Sequence, residues 1–555
     1  MTSMKTSRYI LSFRTASTFV AGAALLAVAG CNFAPHYQRP ETETPGQFKE
    51  AAPGNANETV GWKIAEPKDA TLRGNWWELY QDPQLNALEE RVTISNQTVA
   101  AAEANYRAAH ALVAEARAAY FPTVNVSPAV TRSRSSSSAG STTNSGGSSG
   151  GGSGKTQTLY SLPLDASYQV DLWGRIRNLS AQSAFSAQAS AADVATALLS
   201  THSQLAQDYF QLRAVDEERQ ILDTTLADFE ASLKLVDALY RNGLASDEDV
   251  AQADTQLSSA EAQATDLGVA RGQLEHAIAV LVGVPPSQFS IAVLPFNPAL
   301  PVVPVSLPTD LLERRPDIAS AERQVAAANA GVGIARSAYF PSLSLNAAIG
   351  YESSNGLAQL FNWPNRFWSV GGSMVETLFE GGARRAATAQ AWAAYDEAVA
   401  NYRQTVLTAF QSVEDNLTSL RILATEEKQQ HQAVVAAQRE VALSTARYKL
   451  GLDSYINVIT AQNAFLTNRE TELQIQLRRI TASINLVNNL GGGWDTSQWS
   501  QTEHTAMHRP ASGKKSGASA APAGPGVPNP PPLPNAANPP DDLLKQNEAN
   551  MAPPP

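Results

Sequence analysis

Few residues in this 555-residue chain have the type and spacing to do chemistry. Cys31 is the single cysteine. Its thiol can be acylated, but it has no second thiol with which to form a disulfide or a CxxC zinc site. Asp247, Glu248 and Asp249 stand in a row, and with Asp453 farther along they could attract cations or favour a helix N-terminus. Gly154-Lys155-Thr156 has the ending of a phosphate-binding loop, yet that pattern needs glycine five positions earlier, where this chain has Ser149. Gly331-Val-Gly333 lacks the third glycine of a dinucleotide fingerprint. His504 and His508 form the one i, i+4 histidine pair, inside a Pro/Ala/Gly-rich tail unsuited to holding a metal. The positions of Ser, His and Asp suggest no triad. No catalytic residue, metal site or cofactor is expected. A net charge of −11 disfavours a nucleic-acid partner, because phosphate binding relies on clustered Lys and Arg.

The setting of Cys31 says more than its chemistry. Lys5, Arg8 and Arg14 precede an apolar and small-residue stretch, Phe19 to Gly30, which is shorter than the ~20 residues of a bilayer span. Residues 1–30 therefore read as an export signal. Val28-Ala29-Gly30-Cys31 resembles the bacterial lipobox, whose cysteine is diacylated and becomes the new N-terminus. Asn32 follows rather than Asp, which by the same resemblance favours the outer membrane.

The elements that would position the acids form two copies of one unit. Arg117-Ala-Ala-Tyr120-Phe121-Pro122 matches Arg336-Ser-Ala-Tyr339-Phe340-Pro341, and Tyr240-Arg-Asn-Gly243-Leu244-Ala-Ser246 matches Tyr448-Lys-Leu-Gly451-Leu452-Asp-Ser454. Gly283 and Gly491 keep the 208-residue offset of the second pair. The copies span 85–284 and 309–498, preceded by an N-terminal segment 31–84, separated by the proline-rich linker 285–308 and followed by a low-complexity tail, 499–555, expected to be disordered. Each copy opens with a helix, Gln84–Tyr120 in the first, and continues into a strand hairpin, 122–172 and 341–378. Tyr160, Leu162, Leu164, Ala166, Tyr168, Val170 and Leu172 alternate with Ser161, Pro163, Asp165, Ser167, Gln169 and Asp171. Leu343, Leu345, Ala347, Ile349 and Tyr351 repeat that pattern, as do Trp368, Val370, Gly372 and Met374. Such alternation suits a strand between lipid and water, with Tyr160, Tyr351, Phe367 and Trp368 at the strand ends as interfacial aromatics. A half-buried soluble hairpin is the alternative. The Ser/Gly-rich run Ser133–Gly154 reads as an extended loop.

Proline-free helices of 67 residues follow, 174–240 and 382–448, each about 100 Å long at ~1.5 Å per residue. Return helices follow at 247–282 and 454–490. Leu222, Leu226, Phe229, Leu233, Val236 and Tyr240 step by fours and threes, as do Leu473, Leu477, Ile480, Ile484 and Val487. Gly243 and Gly451 stand at the turns between long and return helices, where glycine takes a left-handed C-cap. Hairpins this long bury little alone and must associate.

These features together resemble the outer-membrane factors of Gram-negative efflux systems, the TolC-like channels, in the OprM and NodT lipoprotein branch. The resemblance is carried by Pro35-His-Tyr37-Gln-Arg39-Pro40, Trp76-Trp77, Asp82-Pro83-Gln-Leu85-Asn86, Leu307 through Glu322 with Glu313-Arg314-Arg315-Pro316-Asp317, and the junctions Leu172-Trp173-Gly174-Arg175 and Phe379-Glu380-Gly381-Gly382. It implies a mixed α/β membrane protein: a homotrimeric 12-stranded β-barrel, four strands per protomer, continued by an α-helical coiled-coil tunnel in the periplasm. It further implies an exit duct that docks a periplasmic adaptor and an inner-membrane RND pump and passively exports drugs or other small solutes. Protein secretion through the same architecture, or a lipid-anchored spacer without a pore, are the alternatives. By position, the resemblance puts the periplasmic gate at Asp249, Tyr448, Asp453, Tyr455, Ile456, Asn457 and Thr460. Family members commonly have aspartate at the positions of Asn457 or Thr460. A steric closure by Tyr455 and Ile456, with cation attraction from Asp247, Glu248, Asp249 and Asp453, is expected instead.

Overall fold

The computed structural model describes residues 32–45, 48–50, 75–134, 156–296, 298, 300–301, 314–492 and 494. Cys31, the export signal, Glu313, the histidines 504 and 508, the tail and most of the Ser/Gly-rich run lie outside the described residues.

A short 3₁₀ turn, Trp76–Tyr80, leads into α1 (Pro83–Ser95) and α2 (Gln97–Ala118). One helix was expected over Gln84–Tyr120. Asn96 divides it: its backbone is extended, its side-chain oxygen caps Thr98 and Val99, and its amide donates to the Leu281 carbonyl at 2.7 Å. An asparagine that satisfies orphan N–H groups favours a cap over a helix interior. Strands β1 (Thr123–Val126), β2 (Ala129–Arg134) and β3 (Thr156–Val170) precede the long helix α3 (Arg175–Arg241) and its return α4 (Asp247–Leu281). The second copy runs α5 (Pro316–Ser337), β4 (Ser342–Ser353), β5 (Arg366–Val375), α6 (Ala383–Lys449) and α7 (Tyr455–Asn489). Among the described residues no helix is long and apolar enough to cross a membrane.

The sheet is antiparallel, ordered β1/β2–β3–β4–β5. β1 and β2 pair with β3 in one register and are parted only at Ser127-Pro128. The break has a simple cause: in that register Ser127 and Pro128 face Pro163 and Leu162, and neither proline has an N–H for the ladder.

Below the sheet the helices lie side by side. α3 packs between α2 and α5, and α5 packs on α6; farther down, α4, α3, α7 and α6 follow in that order. The main core surrounds the middle of the long helices, where Trp76, Leu205, Tyr209, Leu212, Ile278, Ile318, Tyr402 and Ile484 are fully buried. The heptad seams feed it and its neighbours, with Leu222, Phe229, Val236, Leu473, Ile480 and Val487 buried. Gly283 and Gly491, the matched glycines, close their helices at positive φ with the Ser95 and Arg314 carbonyl oxygens pressed against the space a Cβ would fill.

Candidate functional site

The sheet register gathers the alternating residues into one face. Tyr160, Leu162, Leu164, Ala166, Tyr168 and Val170 stand opposite Ser353, Tyr351, Ile349, Ala347, Leu345 and Leu343. Those β4 residues from Tyr351 to Leu343 stand opposite Arg366, Trp368, Val370, Gly372 and Met374, and Val124, Val126 and Val130 extend the same face on the other side. From Leu343 to Tyr351 the band is about 27 Å along the strand, close to the ~25 Å apolar band of outer-membrane barrels. This face is uncovered: Trp368 and Val370 are 77% and 76% exposed. The opposite face carries Asn125, Asp165, Ser167, Gln169, Ser344, Asn346 and Ser373. Of the four expected interfacial aromatics, Phe367 belongs to this second face, because it pairs with Gly350 rather than with an apolar-face residue.

At the foot of the sheet an N-terminal strap is docked that the sequence reading treated only as a segment, 31–84. Asn32 accepts from Asn178 at 3.0 Å, and Phe33 stacks on Phe340 with ring centres 4.2 Å apart. Trp173 stacks on Phe340 with ring centres 5.0 Å apart and donates to the Pro341 carbonyl at 2.7 Å. The strap continues through Asn329 donating to the Pro35 carbonyl, Tyr37 donating to Glu322, and Arg39 donating to the Tyr402 hydroxyl. It reaches Glu414, which accepts from the backbone of Lys49 and Glu50, and Arg421, which pairs with Glu50 at 2.6 Å. Arg421 lies 38 residues into α6, about 57 Å from its start. The signal for this strap was the Pro35–Pro40 motif, whose partners lie 285 to 363 residues away.

The other end of each copy is a tight turn. Gly243 and Gly451 take φ of 70° and 68°. In the first turn Ser246 and Asp249 form a reciprocal capping box: Asp249 N donates to the Ser246 hydroxyl at 3.1 Å, and Ser246 N donates to the Asp249 carboxylate at 3.0 Å. In the second, Ser454 makes no side-chain cap. Asp453 instead accepts from Arg447 Nε at 3.1 Å, from Ser454 N at 3.1 Å and from the Asn457 amide. The Asn457 hydrogen bond, then Arg447, hold the Asp453 carboxyl below its ordinary range. Tyr455 is 2% exposed and packs with Val236, Ala253, Val458 and Ile459. The Tyr448 ring lies tilted against it, with ring centres 5.2 Å apart. Burial, with the Asp249 charge second, raises the Tyr448 phenol, and burial pushes Tyr455 up to about 12. Ile456, Asn457 and Thr460 face outward, and Thr460 returns its hydroxyl to the Ile456 carbonyl at 2.8 Å. Tyr455 and Ile456, expected to act together in closure, are thus separated: the first is sealed inside the chain, the second is exposed.

An apolar face on a sheet of four strand positions, one of them shared by β1 and β2, two 67-residue helices and matched turns in two copies coincide with a match to the outer membrane efflux protein family model over residues 89–284 and 307–492. The chain belongs to that family. It is 30% identical over 476 residues to the pyoverdine export outer membrane protein OpmQ of Pseudomonas aeruginosa, covering 86% of this chain and 96% of that one. It is 31% identical over 477 residues to the solvent efflux pump outer membrane protein SrpC of Pseudomonas putida, covering 86% and 98%. Among solved structures, the outer-membrane channel OprN superposes with a TM-score of 0.75 at 26% identity, covering 84% of this chain and all of that one. The fold is TolC-like, and the protein is an outer-membrane efflux channel component. Its family is one of ducts rather than enzymes.

One buried pair in this efflux protein escaped sequence reading. His202 Nδ1 and Glu89 Oε2 are 2.6 Å apart, both buried, with Trp77 stacked on the imidazole at 4.4 Å. Burial raises Glu89 well above its ordinary value and lowers His202 to about 4, so the pair is neutral and shares one proton. Neither residue belongs to a motif, and only the tertiary fold brings positions 113 apart together.

Proposed function

We propose that this protein is the lipid-anchored homotrimeric exit duct of a tripartite efflux system, docking a periplasmic adaptor and an inner-membrane RND pump and passively releasing small solutes. The observation that carries the reading is that sheet and helix layer end on matching sides. β5 and α6 form one edge, and β1/β2, α2 and α4 form the other. Leu407, Ile422, Val435 and Leu443 are exposed on α6, and Leu112, Val269 and Val280 on α2 and α4. Two unlike edges join head to tail, and a rotation that closes makes a ring with no free strand. Three copies give the 12 strands of the TolC-like barrel, with Ser, Asn and Gln facing the lumen.

Cys31 directly precedes in sequence the strap docked at the foot of the apolar face, which supports an acyl anchor at the periplasmic membrane edge. Asp247, Glu248 and Asp249, none of them in an ion pair among the described residues, supply the cation attraction of the tip, Asp453 being engaged with Arg447. Tyr448, Tyr455, Gly243 and Gly451 hold the turns, while Ile456, Asn457 and Thr460 present the tip surface. A heat-dissociable trimer that conducts in planar bilayers is the expected result, and a monomer without conductance would refute the duct. Replacing Asp249 by Asn should lower cation selectivity more than Asp453→Asn. Mass spectrometry of the mature N-terminal peptide should carry the mass of a diacylglyceryl group on Cys31.

A further inference from the structure

The five charged residues of the described strands are sorted by face. Arg132, Arg134 and Arg366 share the side-chain parity of the apolar face, as their places opposite Thr158, Thr156 and Tyr351 require. Asp165 and Glu352 share the parity of the polar face, opposite Asn125 and Ser161. All three arginines lie toward the loop end of the sheet, away from the helices, and all are exposed. Arg366 lies over the Trp363 ring and donates to the Trp363 carbonyl. No ion pair to Arg132 or Arg134 occurs among the described residues, and the sequence from 135 to 155 contains no acid and one more cation, Lys155. At this end of the apolar band an arginine on the lipid-facing side costs little, and its charge is left to meet an anion there.

The surroundings define that anion further. The loop joining β4 to β5 exposes Leu357, Phe361 and Trp363, and Phe361 meets Tyr351 edge-on at 5.4 Å on the apolar face. Apolar and aromatic surface thus lies beside the guanidinium groups. Arginine forks match phosphate oxygens in paired hydrogen bonds. Arg132 and Arg134 stand on one edge strand and Arg366 on the other, so ring closure sets β5 of one copy beside β2 of the next.

We propose that Arg132, Arg134 and Arg366 form a phosphate-binding rim for a polyacylated, phosphorylated glycolipid of the outer leaflet, seated across the seam between protomers with its acyl chains on the apolar face. The proposal rests on the duct reading, which fixes the lipid-facing side and the outward end.

The test uses the full-length protein, extracted in mild detergent and incubated with purified lipid A, with lipid retained per trimer read by native mass spectrometry. The triple variant Arg132→Gln, Arg134→Gln, Arg366→Gln should retain lipid A about tenfold less well, while the triple Arg→Lys variant, which keeps the charge, should stay within about threefold of wild type. Dephosphorylated lipid A should bind the wild type no better than phosphorylated lipid A binds the Gln variant. Equal retention by wild type and Gln variant overturns the proposal, as does equal binding of dephosphorylated lipid. Loss in the Lys variant as large as in the Gln variant overturns the charge argument. Displacement of lipid A by millimolar inorganic phosphate would reveal a free-anion site instead. Heat-dissociable trimers and bilayer conductance are measured on the same samples. If wild type shows neither, the duct reading fails. If pores are normal and retention is unchanged, the rim alone fails.

Discussion

The two periplasmic turns share a backbone and differ in nearly every polar contact. Gly243 and Gly451 have almost equal φ, and the leucines after them, Leu244 and Leu452, are both exposed. In the first copy the helix then opens Asp247-Glu248-Asp249, and in the second Tyr455-Ile456-Asn457. Asp249 closes a capping box, whereas Asn457 at the matching position cannot supply a carboxylate and donates to Asp453 instead. The first turn is thus stabilised within itself and leaves its acids in water. The second is tied to its own long helix through Arg447 and to the first copy's core through Tyr455. After duplication, one turn keeps charge and the other keeps packing.

The largest expected effect breaks this contrast at its packing side. Tyr455→Ala should cost about 3 kcal/mol, the scale of a large aromatic deleted from a core, and should raise single-channel conductance as the hairpins part. The equivalent Asp247→Ala, an exposed side chain, should leave thermal stability nearly unchanged. At the capping side, Asp249→Ala should cost about 1 kcal/mol in thermal unfolding, while Ser454→Ala, with no cap bond to lose, should cost a few tenths. Gly243→Ala and Gly451→Ala should cost about 1 kcal/mol each and equally, because both positions are open around the missing Cβ and only the positive φ opposes a side chain. Unequal costs would show that the two backbones are not alike in solution.

The smallest effect lies away from both turns and serves as a reference. The neutral Glu89–His202 pair holds one proton when folded. Unfolded, it holds two below the ordinary glutamate value of 4.5 and none above the ordinary histidine value of 6.5. Stability should therefore peak between these values, falling at lower pH because the unfolded chain binds more protons and at higher pH because it binds fewer. Glu89→Gln should flatten the alkaline side of that peak in pH-dependent melting curves, and leave the tip contrast untouched.

Much of this was legible in the chain because it is local. Strand alternation, proline at Pro122, Pro316 and Pro341, the 208-residue offset and the glycines of the turns each act within a few residues of themselves. The helix ends fall within two residues of where those signals put them, except at Asn96, whose cap outweighed the helical propensity of its neighbours. The tip was legible in position and not in wiring. Nothing local distinguishes a tyrosine that seals a seam from one that faces a lumen.

By itself the sequence determined the periodicities, the duplication and the turn positions, since these depend on backbone sterics and on which side chains prefer water. The tertiary structure alone decided that Tyr455 is enclosed, that Asp453 is engaged by Arg447, that the strap runs from Asn32 to Glu50, and that Phe367 turns from the apolar face. It also aligned three arginines of two edge strands on one face. Each of these depends on register or apposition between segments far apart in the chain, such as Tyr37 and Glu322, and no local propensity encodes that distance.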